Sequence, residues 1–397
     1  MASTYLSYNN IISSLGFDSA AVVDQVAKEV SGLQWIDDPQ ILGRPFYSSR
    51  IPEGILNDAF DPLIPIPSSR STGKDSSPLK TTSPAVSSAS TSTRLEKMMV
   101  VSLDKTLKAA QLELTDRVGL IVSTTKGNID VLETRSRFPK ERAYLGTLGK
   151  EIQGFFGFAT EPIVLSNACV SGVLAISVAK RLVNQEKFDH VFVVAGDLVT
   201  KFILSGFNSF QALSDAPCRP YCISRSGINI GEVAASVLVT RDKNRLVDES
   251  VEILGDASCN DANHISGPSR NGEGLFRSIT AAMKEAKLLS GEIDYISAHG
   301  TATFYNDEME AIAFNRAGLA HTPLNSLKGY FGHTLGASGL LETILGMHAL
   351  QRNTLLATKG FQELGVSKPL NIIQRTTFQK LNTFLKTASG FGGSNTA

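Results

Sequence analysis

At 397 residues and 42% hydrophobic content, the chain is long enough for two domains or one large α/β unit. Its 38 basic and 38 acidic residues cancel, so net charge gives no reason to expect nucleic acid or an anionic membrane surface as partner. No apolar run approaches the ~20 residues that cross a bilayer.

The N-terminal "MASTYLSYNNIISSLGFDS" lacks the basic-then-apolar order of a signal peptide. Four cysteines (Cys169, Cys218, Cys222, Cys259) without paired metal-ligand spacing point away from zinc and toward free thiols in a reducing cytoplasm.

In chain order, the first feature is a stretch with few core formers. In "SSRSTGKDSSPLKTTSPAVSSASTST" (68–93), 15 of 26 residues are Ser or Thr. The segment is expected to be a surface insertion, or a flap that orders on a docking partner through Arg70, Lys74 and Lys80. Short β-branched runs bounded by turn residues then predict strands at 118–124, 162–168, 190–197, 233–240 and 293–300. Several are apolar on both faces, as strands covered by helices on each side are. Helical spacing of apolar residues predicts helices over 171–185, 275–289, 307–317 and 338–353. That is an α/β protein with buried sheets. Two helices open alike, at Ser171-Gly172 and Ser338-Gly339, each after a small-residue loop. An internal duplication would turn both helix starts toward one site.

Three side chains stand where chemistry is done. Cys169, in "VLSNACVSGVLA", follows a strand and precedes a helix, whose N-terminus stabilises a thiolate. Free cysteine is also among the most buried residue types, so the placement alone leaves a packed thiol and a nucleophile both open. His299 ends a strand in "YISAHGTATFYNDEME", and His333 lies between glycines in "LKGYFGHTLGASG", five residues after Lys328. Strand ends followed by loops are where α/β folds put ligand-contacting groups. His190, His264, His321 and His348 have no such setting and read as ordinary surface or helix residues. The glycines around Phe391 in "ASGFGGSNTA" free the backbone for close approach to a ligand.

Taken together and in this order, "NACVSG", "HGTATFYNDEME", "KGYFGHTLGASG" and "GFGGSN" resemble the elongating β-ketoacyl-acyl carrier protein synthases of the thiolase-like superfamily. The likeness covers most of the chain, including "PCRPYCISRSGINIGEVAAS" (217–236) and the N-terminal "NNIISSLG" (9–16). Histidine in both later loops matches the Cys-His-His branch rather than the initiating synthases, which pair one His with Asn. The resemblance implies a thiolase-like layered αβαβα fold from two duplicated halves. Residues 1–245 would carry the cysteine and the insertion, and 246–397 the two histidines.

The resemblance also implies roles. Cys169 would hold the growing acyl chain as a thioester, and His299 and His333 would bind the malonyl thioester carbonyl and assist its decarboxylation. The backbone N–H groups of Cys169 and Phe391 would form the oxyanion hole, with Phe391 also the gate. Lys328, Asp307, Glu310 and Glu342 would orient the histidines, and Thr301 and Thr303 would hydrogen-bond the phosphopantetheine arm of an acyl carrier protein. No other cofactor and no metal is implied.

In the resembling family the strand matching "HVFVVAGD" pairs with its two-fold mate, which implies a homodimer, or a heterodimer with a cysteine-less relative. The chain-length-factor kind of relative replaces the cysteine, and thiolases carry a second one near the last glycine loop, so Cys169 alone argues against both. "LIVSTTKGNIDVL" (120–132) is similar to aryl-polyene synthases, and fatty-acid elongation is the other pathway implied. Three departures stand out. The first strand lacks Thr-Gly-x-Gly, "RSGINIGEV" replaces the usual packing motif, and the final apolar strand is expected to be missing after Ala397.

Overall fold

The strand His190–Asp197 sends alternate side chains into two apolar cores. Val191 and Val193 share one with Ala175, Ile176 and Leu340. Phe192 and Val194 share the other with Met98 and Met99. The sequence pattern thus reports a sheet covered on both faces. The computed structural model describes residues 3–64, 92–261 and 267–397.

The sheet around that strand runs Ile163–Leu165, Val118–Ser123, His190–Asp197, Val233–Thr240, Tyr5–Ile12 and Val251–Glu252 in spatial order. The first three are parallel, and the next two joins are antiparallel. Residues 258–396 repeat this plan. Pro323–Asn325, Tyr295–Ser297 and Phe384–Lys386 pair in parallel. The chain continues from Phe384–Lys386 into Ala388–Gly390, which pairs antiparallel with Ser394–Thr396, and that in turn with Ser258–Asn260. Strand order and sense are the same in both halves, as a duplicated α/β unit requires.

Helices fill three layers. Ser171–Asn184 and Ser338–Gln351 pack on each other between the sheets. Arg94–Ala110 covers the outer face of the first sheet, and Glu273–Ala286 with Phe304–Arg316 that of the second. The result is the layered αβαβα thiolase-like architecture. Among the described residues no helix is long and apolar enough to cross a membrane.

Four expectations change. His190–Asp197 is hydrogen-bonded on both sides and cannot pair with a second copy; the edge on that side of the sheet is Ile163–Leu165. The insertion boundary moves inward. Thr93 is buried and caps Arg94–Ala110, its hydroxyl accepting from the Glu96 N–H while Glu96 takes the Thr93 N–H. Residues 65–91, with the expected flap lysines and Arg70, lie outside the described residues, as does His264.

The final strand is present but short. Ser394–Thr396 occupies the place that eight-residue Val233–Thr240 fills in the first half, and a cavity of about 470 Å³ lies beyond it against Val251, Phe384 and Ala397. "RSGINIGEV" packs tightly despite its departure. A Cβ on Gly231 would sit 1.7 Å from the Phe331 carbonyl, and the Asn229 carbonyl accepts the His333 N–H at 2.6 Å.

Candidate active site

The two Ser-Gly helix starts meet. A Cβ on Gly172 would lie 2.6 Å from the Leu340 N–H nitrogen, and one on Gly339 would lie 2.7 Å from that of Val173. Only glycine lets these backbones cross so closely. Three residues before each serine the chain turns through left-handed geometry, at Ala168 (φ 44°) and Leu335 (φ 54°). A non-glycine residue there is strained, a state that persists where surroundings over-determine it. Ser171 Oγ ties the first turn, accepting from the Asn167 N–H and donating to the Ala168 carbonyl. Ser338 Oγ ties the second through Thr334 and His333 Nδ1. The repeated sequence signal therefore builds one junction that brings Cys169 and His333 together.

At that junction His333 Nε2 stands 3.1 Å from Cys169 Sγ. The Leu335 N–H donates to His333 Nδ1 at 3.3 Å, so Nδ1 is an acceptor and the proton of the neutral ring sits on Nε2, facing sulfur. The His299 ring is 5.1 Å from that of His333, centroid to centroid. The ligating atoms of Cys169, His299 and His333 lie within 4.8 Å of one another. One small group can touch all three. The set would also suit a soft divalent cation, but the two buried lysines beside it make the field unfavourable to one.

Burial governs the charge states. It pushes the Cys169 thiol up to about 12, with Lys328 pulling the other way. It pushes both imidazoles well below their usual range, and Lys328 and Lys386 add to that. Burial thus favours the thiol form of Cys169 at rest. Cys222 has the lowered thiol instead: burial raises it, but hydrogen bonds from Glu363, Ser224 and Gln362 outweigh that and bring it to about 7. Cys222 is fully buried and its sulfur is turned to Ser224. Cys218 is buried and bonded to the Lys328 carbonyl, and Cys259 is a half-exposed free thiol.

The acidic residues hold backbone rather than imidazoles. Glu310 accepts the N–H groups of His299 and Gly300 and the Tyr221 hydroxyl. Asp307 accepts those of Tyr221, Thr301 and Ala302, while burial raises its carboxyl to about 7. Glu342 pairs with Lys328. Among the described residues no carboxylate is hydrogen-bonded to either ring, so any orienting of the histidines by these acids acts through the backbone and Lys328.

A cavity of about 330 Å³ opens on Cys169, His299 and His333. Thr301 and Thr303, bonded to each other at 2.9 Å, line it. Phe391 stacks on Phe207 at 5.6 Å and meets Phe210 edge-on at 5.5 Å across the same opening. Gly390 abuts Cys169: a Cβ there would lie 3.0 Å from the Cys169 nitrogen.

Some site residues carried no recognised signal. Asp197 takes the Thr124 and Thr125 hydroxyls and the Gly336 N–H, binding the two halves behind the cysteine. Lys386 is buried against Glu342. A single charge ending or interrupting an otherwise apolar strand, as in "HVFVVAGD" and "FLKTAS", is the clue both offer.

Residues 83–245 match the family model described as Beta-ketoacyl synthase, N-terminal domain, and residues 251–362 the one described as Beta-ketoacyl synthase, C-terminal domain. A Streptomyces halstedii protein named as a polyketide beta-ketoacyl synthase is 30% identical over 294 residues, covering 70% of this chain and 69% of its own. The 3-oxoacyl-[acyl-carrier-protein] synthase 2 of Rhizobium meliloti is 32% identical over 244 residues, 57% of this chain and 58% of that protein. Among solved structures, a chain from the complex of a ketosynthase with its chain length factor from Xenorhabdus doucetiae aligns at a TM-score of 0.80. That match has 23% identity and covers 100% of this chain and 96% of the other.

Proposed function

The chain belongs to the β-ketoacyl synthase family, and from that premise we propose that Cys169, His299 and His333 carry out a decarboxylative condensation between carrier-bound thioesters. The observation that carries the proposal is the His333 Nε2–Cys169 Sγ contact of 3.1 Å, with the proton on nitrogen. A ring in that state donates. It does not take the thiol proton.

In the first half-reaction Cys169 attacks an acyl thioester, the acyl group moves to its sulfur, and the carrier leaves as a thiol with the cysteine's proton. The Cys169 and Phe391 N–H groups serve the oxyanion of that step. A malonyl thioester then enters, and His299 and His333 donate to its carbonyl oxygen. Loss of carbon dioxide leaves negative charge there, which two buried donors stabilise strongly because no water competes. The enolate carbon attacks the acyl carbonyl, a carbon–carbon bond forms, and the Cys169 sulfur leaves and is reprotonated. The product is a β-ketoacyl thioester on the carrier.

Lys328, Glu342, Glu310 and Asp307 hold the histidine loops. Thr301 and Thr303 take the phosphopantetheine arm, and Phe391 turns aside to admit it. The partner is an acyl carrier protein and no further cofactor is required; a fatty-acid or polyketide chain, including one of aryl-polyene type, is the substrate class. The Ile163–Leu165 edge favours a dimer, a homodimer first and a heterodimer with a chain-length-factor-like relative second. The unit boundary falls at 245/246, and the free thiols suit the cytoplasm.

Intact-mass analysis of the protein after incubation with a panel of acyl-carrier proteins tests this. One acyl group should add to the wild type and none to Cys169→Ala. An adduct on the alanine variant would refute the assignment.

A further inference from the structure

Lys386 has no part in the condensation as described above, yet its ammonium is buried against the strand end that leads into His299. The residue is 7% exposed. Its Nζ donates to the carbonyls of Ser297 and Ala298, each at 3.2 Å, and to Glu342 Oε2. Those carbonyls belong to the end of the strand Tyr295–Ser297 and the residue that precedes His299. From the other side Glu310 grips the N–H groups of His299 and Gly300 at 2.9 and 2.7 Å. The His299 backbone is therefore clamped between a carboxylate on its donors and an ammonium on the carbonyls just before it.

The second contact matters as much. Glu342 lies between two lysines, Lys328 on one oxygen and Lys386 on the other, all three buried. The two ammoniums share that one carboxylate, while Glu310, the other acid near Lys386, is taken up by backbone N–H groups and the Tyr221 hydroxyl, so the charges the imidazoles meet are those of Lys328 and Lys386. We propose that Lys386 is a positioning residue, fixing the strand end that presents His299 and placing, with Lys328, positive charge beside both imidazoles. The groups facing the rings are Lys328, Lys386 and the other imidazole for His299, and Lys328 and Lys386 for His333; Glu342 and Glu310 face Lys386. Removing Lys386 leaves the neutral Lys328–Glu342 pair, and protonation of the rings becomes easier.

This rests on the proposed roles of the histidines, so the test reads the rings directly as well as the reaction. Lys386→Met and Lys386→Arg are compared with wild type by NMR titration of the His299 and His333 rings and by carbon dioxide release from a malonyl-carrier thioester across pH. In Lys386→Met the ring titrations should move to higher pH and kcat should fall, with KM for the malonyl thioester little changed. Lys386→Arg, which keeps the charge, should restore the wild-type titration. Unmoved titrations in the methionine variant, or the same shift in the arginine variant, would overturn the proposal. So would a methionine variant that does not fold, since Glu342 retains Lys328. A wild type that releases no carbon dioxide would instead sink the catalytic roles and leave the titrations to judge Lys386.

Discussion

Replacing His333 by alanine isolates the step that the site geometry serves best. In the wild type the ring is buried, its Nδ1 accepts from Leu335, and its Nε2 proton points along the 3.1 Å line to Cys169 Sγ. A carbonyl oxygen bound beside that sulfur would receive the same proton. Losing one preorganised donor of this kind costs roughly 3–4 kcal/mol in the barrier. At about 1.4 kcal/mol per tenfold, carbon dioxide release should slow by about 10²- to 10³-fold. On the proposed roles acyl transfer to Cys169 uses a different pair of donors and should persist, so the two half-reactions should separate.

The assay is carbon dioxide release from a malonyl-carrier thioester, with the acyl-enzyme followed by mass in the same samples and a thermal melt to check folding. Wild-type release in a folded His333→Ala protein would refute the donor argument. The pH dependence carries a sign. A folded-state imidazole held below its unfolded value near ~6.5 contributes stability above that value, and loses it as pH falls. The wild-type rate should therefore not titrate with His333 near neutrality, and should fail only on the acid side of the usual histidine range.

The Cys169 thiol is pushed up to about 12, so its alkylation by iodoacetamide, followed by peptide mass, should speed up continuously from pH 7 to pH 10; a rate already at its plateau at pH 7 would contradict burial control. Gly172→Ala places a Cβ 2.6 Å from one backbone nitrogen and 2.8 Å from the Gly336 oxygen, so both melting temperature and acylation rate should fall, and an unchanged pair would remove the helix crossing from the argument. Glu342→Gln strands two buried ammoniums and should cost about 3–5 kcal/mol in chemical denaturation; a neutral result would mean the lysines are solvated. Light scattering should report a dimer, whereas a stable active monomer would dismiss an interface at the Ile163–Leu165 edge.

Cys169, His299 and His333 were legible because each sits in a short loop whose small residues and glycines are a local requirement, written in consecutive letters. So were the buried sheets, since Val191 to Val194 must satisfy apolar cores on both faces whatever their partners. The paired Ser-Gly starts even announced the junction. Sequence could not say that His190–Asp197 lies inside its sheet and Ile163–Leu165 at the edge, because strand order depends on hydrogen bonds between segments tens to hundreds of residues apart. It could not say that Glu310 and Asp307 grip backbone N–H groups, or that Lys386 reaches Glu342 across 44 positions. The thiol shows the division most sharply. A helix start after Cys169 argues for a stabilised thiolate, but solvation is set by everything packed around the sulfur, and in the folded protein burial pushes the thiol up to about 12. Loop and helix conformation follows from neighbours in the chain; strand order and charge state follow from neighbours in space.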